Sequence, residues 1–274
     1  MQRTERQCRT VHLRRSGFLG IRHDECQMVF KWADTLNELE QAFSLVYEEY
    51  LRSGYITEPN SSKVFFNFHN LLPTSSTLVA KKENRVVATL SMVFDSEDFG
   101  LPADSLYSKE LVPLRKQGRK ICEICTLAIS PEYRLGKLIM PMFKSAYRRS
   151  LANSIDDICI MVNPKHSPFY QLILLFEQFG PERIYPRVEA PAVCLRVDVK
   201  DLDAKAQEAY RKIDELNNVW EYFKPDLSEK KSERQAGGDS LFNPFTARHF
   251  LIKEKKLLST LRPKEFDFLL PVLW

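Results

Sequence analysis

The sequence predicts a mixed α/β fold, and three observations lead there. Apolar, strand-like runs alternate with amphipathic helical patterns from Met28 to Val199. Two of these runs, 78–81 and 86–94, are separated only by a tight polar turn at Lys82–Arg85, which is an antiparallel hairpin signal. Neither G-x-G-x-x-G nor G-x4-G-K-[ST] occurs, so a doubly wound nucleotide fold is not indicated.

The elements follow in order. Residues 28–32 read as a short strand. Thr35 can cap a helix whose stripe is Leu36, Leu39, Phe43, Val46 and Tyr50, ending near Gly54. Residues 55–76 are loop-like, with Phe65, Phe66 and Phe68 in an aromatic run. After the hairpin, Asp104 is expected to cap a short helix stopped by Gly118. A strand over 121–129 and a helix to about Asn153 come next, with Pro141 tolerated only in the first turn. A strand over 158–162 is broken by Asn163-Pro164. One helix is expected over 166–179, then strands over 183–185 and 193–199. A charged helix over 204–223 and two short helices within 246–270 complete the expectation.

The chain has 274 residues, 44% hydrophobic and 28% charged, an ordinary globular composition. A net charge of +4 is too mild to indicate nucleic acid. No apolar run reaches the ~18 residues of a membrane span. The first 26 residues hold six arginines and no apolar h-region, so they do not read as a secretory signal. The six cysteines, Cys8, Cys26, Cys122, Cys125, Cys159 and Cys194, read as reduced thiols of a cytoplasmic protein. Cys122 and Cys125 have C-x2-C spacing, but further ligands are not evident and alternation points the two to opposite faces, so no metal site is expected. The expected organisation is a flexible extension over 1–26, a main α/β domain over 27–200, and a helical C-terminal extension over 201–274 with a mobile linker at about 224–244.

The richest stretch is Lys120 to Tyr147, KICEICTLAISPEYRLGKLIMPMFKSAY. A strand carrying one glutamate, Glu123, leads into a polar loop with Gly136 and then a helix. A loop at a helix N-terminus presents backbone N–H groups and a positive dipole end to an anion. A carboxylate inside a strand is costly to bury unless it is paired or used. A phosphate-bearing thioester carrier beside a general base fits both features. The structural alternative for Glu123 is a strand-end side chain paired with Arg119 or Lys120.

FSLVYEEYLRSGYI at 43–56, VVATLSMVFDSEDFGLPADSLYSKEL at 86–111, GRKICEICTLAI at 118–129, VNPKHSPFY at 162–170 and FGPERIYPRVEAPAV at 179–193 together carry a resemblance. Over about 28–199 the chain resembles the GNAT-like acyltransferases, and within them the N-acyl amino acid synthase (FeeM-type) family, related to the acyl-homoserine lactone synthases. The resemblance implies a GNAT-like fold: a twisted, mostly antiparallel sheet, flanked by helices, in which a parallel strand pair splays to admit a pantetheine arm. It implies transfer of a long-chain acyl group from acyl carrier protein, or from coenzyme A, to the α-amine of an amino acid. The acyl-phosphopantetheine thioester is then a co-substrate, with no tightly bound cofactor. A lipid product would allow peripheral membrane contact.

Glu123 is the expected base. His166, at a strand-to-helix junction, is a second base or an amino-acid contact, or else a helix-start residue. Tyr170 is expected one turn further on the same face, to assist the leaving thiolate or to pack as a core aromatic. Arg134, Gly136 and Lys137 are candidate phosphate contacts, with Thr126 and Leu127 beside the thioester on the strand. The glycine loop departs from the coenzyme A pattern at Tyr133 and Leu138, which favours a carrier protein. Thr126 stands where the lactone synthases carry arginine, which counts against S-adenosylmethionine chemistry. Lys144, Arg148 and Arg149 could meet an acidic carrier or complement a helix C-terminus. Asp95, Asp98 and Asp104 read as turn and cap residues. Phe65, Phe66, Phe68, Phe94 and Phe99 could line an acyl tunnel or simply pack. The other readings left open are a lactone-type signal synthase and a non-catalytic acyl-binding or regulatory module.

Overall fold

The computed structural model describes residues 8, 9, 11, 13, 28–57, 59–133, 138–211, 213, 218–224 and 243–273. The elements are β1 (Met28–Trp32), α1 (Leu36–Arg52), β2 (Ser75–Lys82), β3 (Arg85–Phe94), α2 (Asp104–Lys116), β4 (Ile121–Ile129) and α3 (Ile139–Ala152). They continue with β5 (Asp157–Val162), α4 (Ser167–Leu172), β6 (Glu177–Gln178), β7 (Arg183–Tyr185) and β8 (Ala190–Asp198). Helices α5 (Leu202–Tyr210), α6 (Val219–Phe223), α7 (Pro244–Lys253), α8 (Lys255–Leu258) and α9 (Pro263–Leu273) follow. The fold is mixed α/β. Strands β4 and β5 run parallel, whereas β1–β2, β2–β3, β5–β8, β6–β8 and β7–β8 are antiparallel.

The chain divides into two compact units. One comprises Met1–Cys26, Ala103–Ile124 and Pro131–Ala236; the other comprises Gln27–Pro102, Cys125–Ser130 and Gly237–Trp274. The boundary cuts β4 in its middle.

In the second unit, β1, β2 and β3 form a meander. Thr35 caps α1 as its sequence requires, its side chain accepting the Glu38 N–H at 3.2 Å. The buried stripe of α1 packs Ala42, Leu45 and Val46 onto Val79, Val86 and Ala128. Phe66 and Phe68 join Phe43, Phe250 and Leu269 in a second core that holds α7 and α9. The Phe43 and Phe66 rings stack at 5.2 Å, and Phe66 meets Phe250 at 5.5 Å. Core packing therefore accounts for these aromatics.

In the first unit, four residues of β4 pair with β5, from Ile121↔Asp157 to Ile124↔Ile160, and the ladder stops there although β4 runs on to Ile129. The register places Ile124, Ile158 and Val197 on one face and Glu123, Cys159 and Arg196 on the other. At the edge of that second face, buried Asp157 binds both Arg119 and Arg196, the Arg196 Nε lying 2.6 Å away. Arg119 also reaches Asp198 at 2.5 Å. Buried carboxylates are retained when paired in this way.

Several expectations are corrected. The helix over 166–179 is a 3-10 turn plus the six-residue α4, and the chain then turns at Leu175 (φ +60°) into β6. An apolar run such as Ile173–Phe176 satisfies a helix or a buried strand equally. Among the described residues, the helix expected over 204–223 is two, α5 and α6. Asp104 does not cap α2: it forms a bidentate pair with Arg115 at 2.7 and 2.6 Å, and Ala103 is the cap residue. The C-terminal segment holds three helices rather than two.

Candidate active site

Glu123 has 0% of its surface exposed. Its Oε2 accepts the Ala103 backbone N–H at 2.7 Å, at the start of α2. The alternative in which Glu123 pairs with Arg119 or Lys120 does not hold for Arg119, which is engaged by Asp157 and Asp198. An anionic carboxylate at a helix start satisfies an N–H that has no partner within the helix. Glu123 thus occupies the position that a capping side chain of α2 would fill. The Cys122 and Cys159 thiols beside it are pushed well above their ordinary range, Cys122 first by burial and Cys159 first by its hydrogen bond with Cys194; the charge of Glu123 adds to both.

Tyr170 is buried on α4 and packs edge-on against Phe143 at 5.7 Å and Phe176 at 6.2 Å. Burial pushes its pKa far above 10, so the phenol stays protonated at neutral pH. His166 ends the 3-10 turn before α4 and is exposed. Partial desolvation of its ring, and then the charge of Lys165, lower its pKa, which favours the neutral imidazole. One side chain is exposed and the other buried, because the 3-10 turn breaks the helical register that would have aligned them.

Thr126 lies in the second unit with φ +48°, a left-handed conformation that is rare inside a strand for a β-branched residue. Its Oγ1 donates to Ser91 Oγ at 2.8 Å, and Ser91 lies 3.0 Å from Thr77 Oγ1. Leu127 is half-buried on the same strand. Arg134, Gly136 and Lys137 lie outside the described residues. Lys144 sits 4.3 Å over the Tyr222 ring. Asp98 pairs with Lys264 at 2.8 Å. Among the described residues no group of three or more His, Cys, Asp or Glu could hold a metal ion.

The first unit contains a partly open apolar cavity. Its floor is Ile124, Ile158 and Val197, the sheet face opposite Glu123. Phe143 and Tyr147 of α3 and the segment 173–176 form its sides. The rest of the lining comes from α5 and α6. Reading 204–223 as a single charged helix missed this contribution. The signal was there in the apolar positions Leu202, Ala206 and Tyr210, at helical spacing, and in Val219-Trp220 and Phe223.

The family model for N-acyl amino acid synthase FeeM matches residues 41–198, more than half of the chain. The chain belongs to that family. It is an acyltransferase. Among solved structures, FeeM, an N-acyl amino acid synthase from uncultured soil microbes, is 26% identical with a TM-score of 0.57, covering 65% of this chain and 94% of its own. The coenzyme A-dependent acyl-homoserine lactone synthase BjaI is 16% identical with a TM-score of 0.45, covering 62% of this chain and 81% of its own. The acyl-homoserine lactone synthase LasI is also 16% identical at 0.45, covering 63% and 90%. No curated protein matches the chain by sequence. Glu123, His166 and Tyr170 fall inside the segment matched by the FeeM family, and α5 to α9 fall outside it. Among the described residues no helix is long and apolar enough to cross a membrane.

Proposed function

We propose that the protein transfers a long-chain acyl group from acyl carrier protein to the α-amine of an amino acid. The observation that carries this beyond family membership is the cavity. Its floor includes Ile124, the residue after Glu123 and the last on β4 to pair with β5; the floor lies on the sheet face opposite Glu123, and the lining is almost wholly apolar, which suits a hydrocarbon chain. In the reaction the unprotonated amine attacks the thioester carbonyl and forms the C–N bond. Glu123 takes the amine proton, directly or through one water. The C–S bond then breaks and the carrier leaves as a thiolate, which becomes the free thiol by taking a proton from water as Glu123 gives the amine proton back to water. Tyr170 is poorly suited to hand over that proton, because a phenol with a raised pKa is a much weaker acid than a thiol with pKa near 8.5. In this reading Tyr170 donates a hydrogen bond to the departing sulfur, and His166, neutral and at the surface, contacts the incoming amino acid.

The carrier is proposed from the sequence at 133–138, which lacks the full coenzyme A glycine pattern and keeps Arg134 and Lys137 as basic residues for an acidic partner. The test is kcat/KM for acyl carrier protein and acyl-coenzyme A side by side, at low and moderate salt, with mass spectrometry of the amide product. The expected result is a preference for the carrier that weakens with salt, since exposed charges are screened over ~8 Å at physiological ionic strength. Reversing Arg134 and Lys137 to glutamate should slow reaction with the carrier and spare a small acyl-pantetheine. Coenzyme A as the better donor, with equal salt sensitivity, would overturn the carrier assignment.

A further inference from the structure

Five residues lining the cavity lie outside the segment matched by the family: Leu202 and Tyr210 of α5, and Val219, Trp220 and Phe223 of α6. Their placement is fixed by the chain itself. Asn218 caps α6, its Oδ1 accepting the N–H groups of Trp220 at 3.0 Å and Glu221 at 3.4 Å. Trp220 Nε1 donates to Asp203 Oδ1 at 2.7 Å, tying α6 to α5. The Tyr210 hydroxyl donates to the Ile173 carbonyl at 2.6 Å, tying α5 to the segment that forms the cavity's side. Arg9 closes the same corner: it donates to the carbonyls of Leu172 and Ala209, each at 2.8 Å, and lies 5.2 Å over the Tyr210 ring. On the inner side, the Trp220 and Phe223 rings meet Tyr147 at 5.8 and 6.2 Å. Three of the five wall residues, Tyr210, Trp220 and Phe223, are large aromatics held by these contacts, and all five lie outside the family-matched segment.

We infer that α5 and α6 set the length of acyl chain that the enzyme accepts, with Trp220 and Phe223 forming the stop for the chain's methyl end. The inference rests on the acyl-transfer reading above. The thioester is placed at the end of the β4–β5 ladder, where Glu123 and the floor residue Ile124 are neighbours on opposite faces of β4, so the hydrocarbon passes to the Ile124 face and extends towards the helices. A chain too long for the space must either leave methylenes in water or displace the rings. Each methylene denied burial is worth about fourfold in kcat/KM, and two about fifteenfold. Trimming the wall should return that factor to longer donors relative to shorter ones.

The experiment compares a series of saturated acyl donors, medium to long, on the full chain and on Trp220→Ala, Phe223→Leu and Val219→Trp. Phe223→Leu keeps an apolar side chain and serves if Trp220→Ala fails to fold. Displacement of a fluorescent fatty acid by free fatty acids of the same lengths reads the cutoff without turnover. The expected result is a profile shifted to longer chains by Trp220→Ala and Phe223→Leu, with gains of about fifteenfold, relative to shorter donors, for donors two methylenes beyond the original optimum. Val219→Trp shifts it the other way. An unchanged profile in both measurements, or an equal change for all chain lengths, overturns the inference. Failure of the underlying reading looks different: the unaltered chain would form no N-acyl amino acid from any donor, while the fatty-acid cutoff would still be scored.

Discussion

Replacing Glu123 with glutamine separates the two things this side chain can do. Its carboxylate is buried and accepts the Ala103 N–H at 2.7 Å, so it anchors the start of α2. The glutamine carbonyl oxygen can accept the same bond. What is lost structurally is a negative charge near a helix N-terminus, worth about 0.3–1 kcal/mol. At about 2–4 °C per kcal/mol for a chain of this size, Tm should fall by no more than a few degrees. What is lost chemically is the base, and with it roughly 10²-fold in rate, about 2.7 kcal/mol of transition-state stabilisation. Glu123→Ala removes both functions, and the unsatisfied buried N–H adds about 1–3 kcal/mol of instability. The assay follows thiol release from the acyl donor at neutral pH, alongside thermal melting of the same samples. Full activity in Glu123→Gln would refute the reasoning, leaving Glu123 as a cap for α2. So would an activity loss in the two variants that merely tracks their loss of Tm.

Two further outcomes concern the scaffold. A Cβ on Gly180 would lie 2.5 Å from Cδ1 of Tyr107, a fully buried ring whose hydroxyl sits 2.8 Å from the Ala192 carbonyl and 2.9 Å from that of Pro181. Held at its far end, the ring cannot swing away, so Gly180→Ala should cost about 1–3 kcal/mol, read as a lower urea midpoint; an unchanged midpoint would mean the ring yields freely. For Glu38, burial opposes ionisation, yet hydrogen bonds from Lys81 at 2.7 Å, the Asp34 N–H and Lys31 outweigh it and lower the pKa to about 2. The folded-state pKa is depressed, so this stability is present above the ordinary carboxylate range and is lost as pH falls towards 2. The stability gap between the unaltered chain and Glu38→Gln should therefore be wide at neutral pH and close in acid; a gap independent of pH would contradict the ion-pair account.

Much of the fold was legible in the sequence because it rests on local rules. Thr35 announces α1 by its side-chain chemistry, the polar turn at 82–85 announces the hairpin, and the apolar run at 121–129 announces the central strand. The errors fall where tertiary contacts decide. Ile173–Phe176 leaves helical geometry because the chain turns to pair β6 with β8, a partner far along the sequence. Ala103, a poor cap by its side chain, starts α2 because a carboxylate from β4 reaches its N–H. Glu123 stood out as an isolated charge in an apolar strand, whereas the cavity wall did not. Trp220 and Phe223 sit in a segment rich in charged residues, and only packing on Tyr147 shows that their face turns inward.

The most direct test of the central claim is mass spectrometry of the lipids made by a host that overexpresses the full chain, with Glu123→Gln expressed in parallel. The account predicts new long-chain N-acyl amino acids in the first culture and a strong reduction in the second. Acyl lactones in their place, or no new acylated amino acid at all, would contradict it.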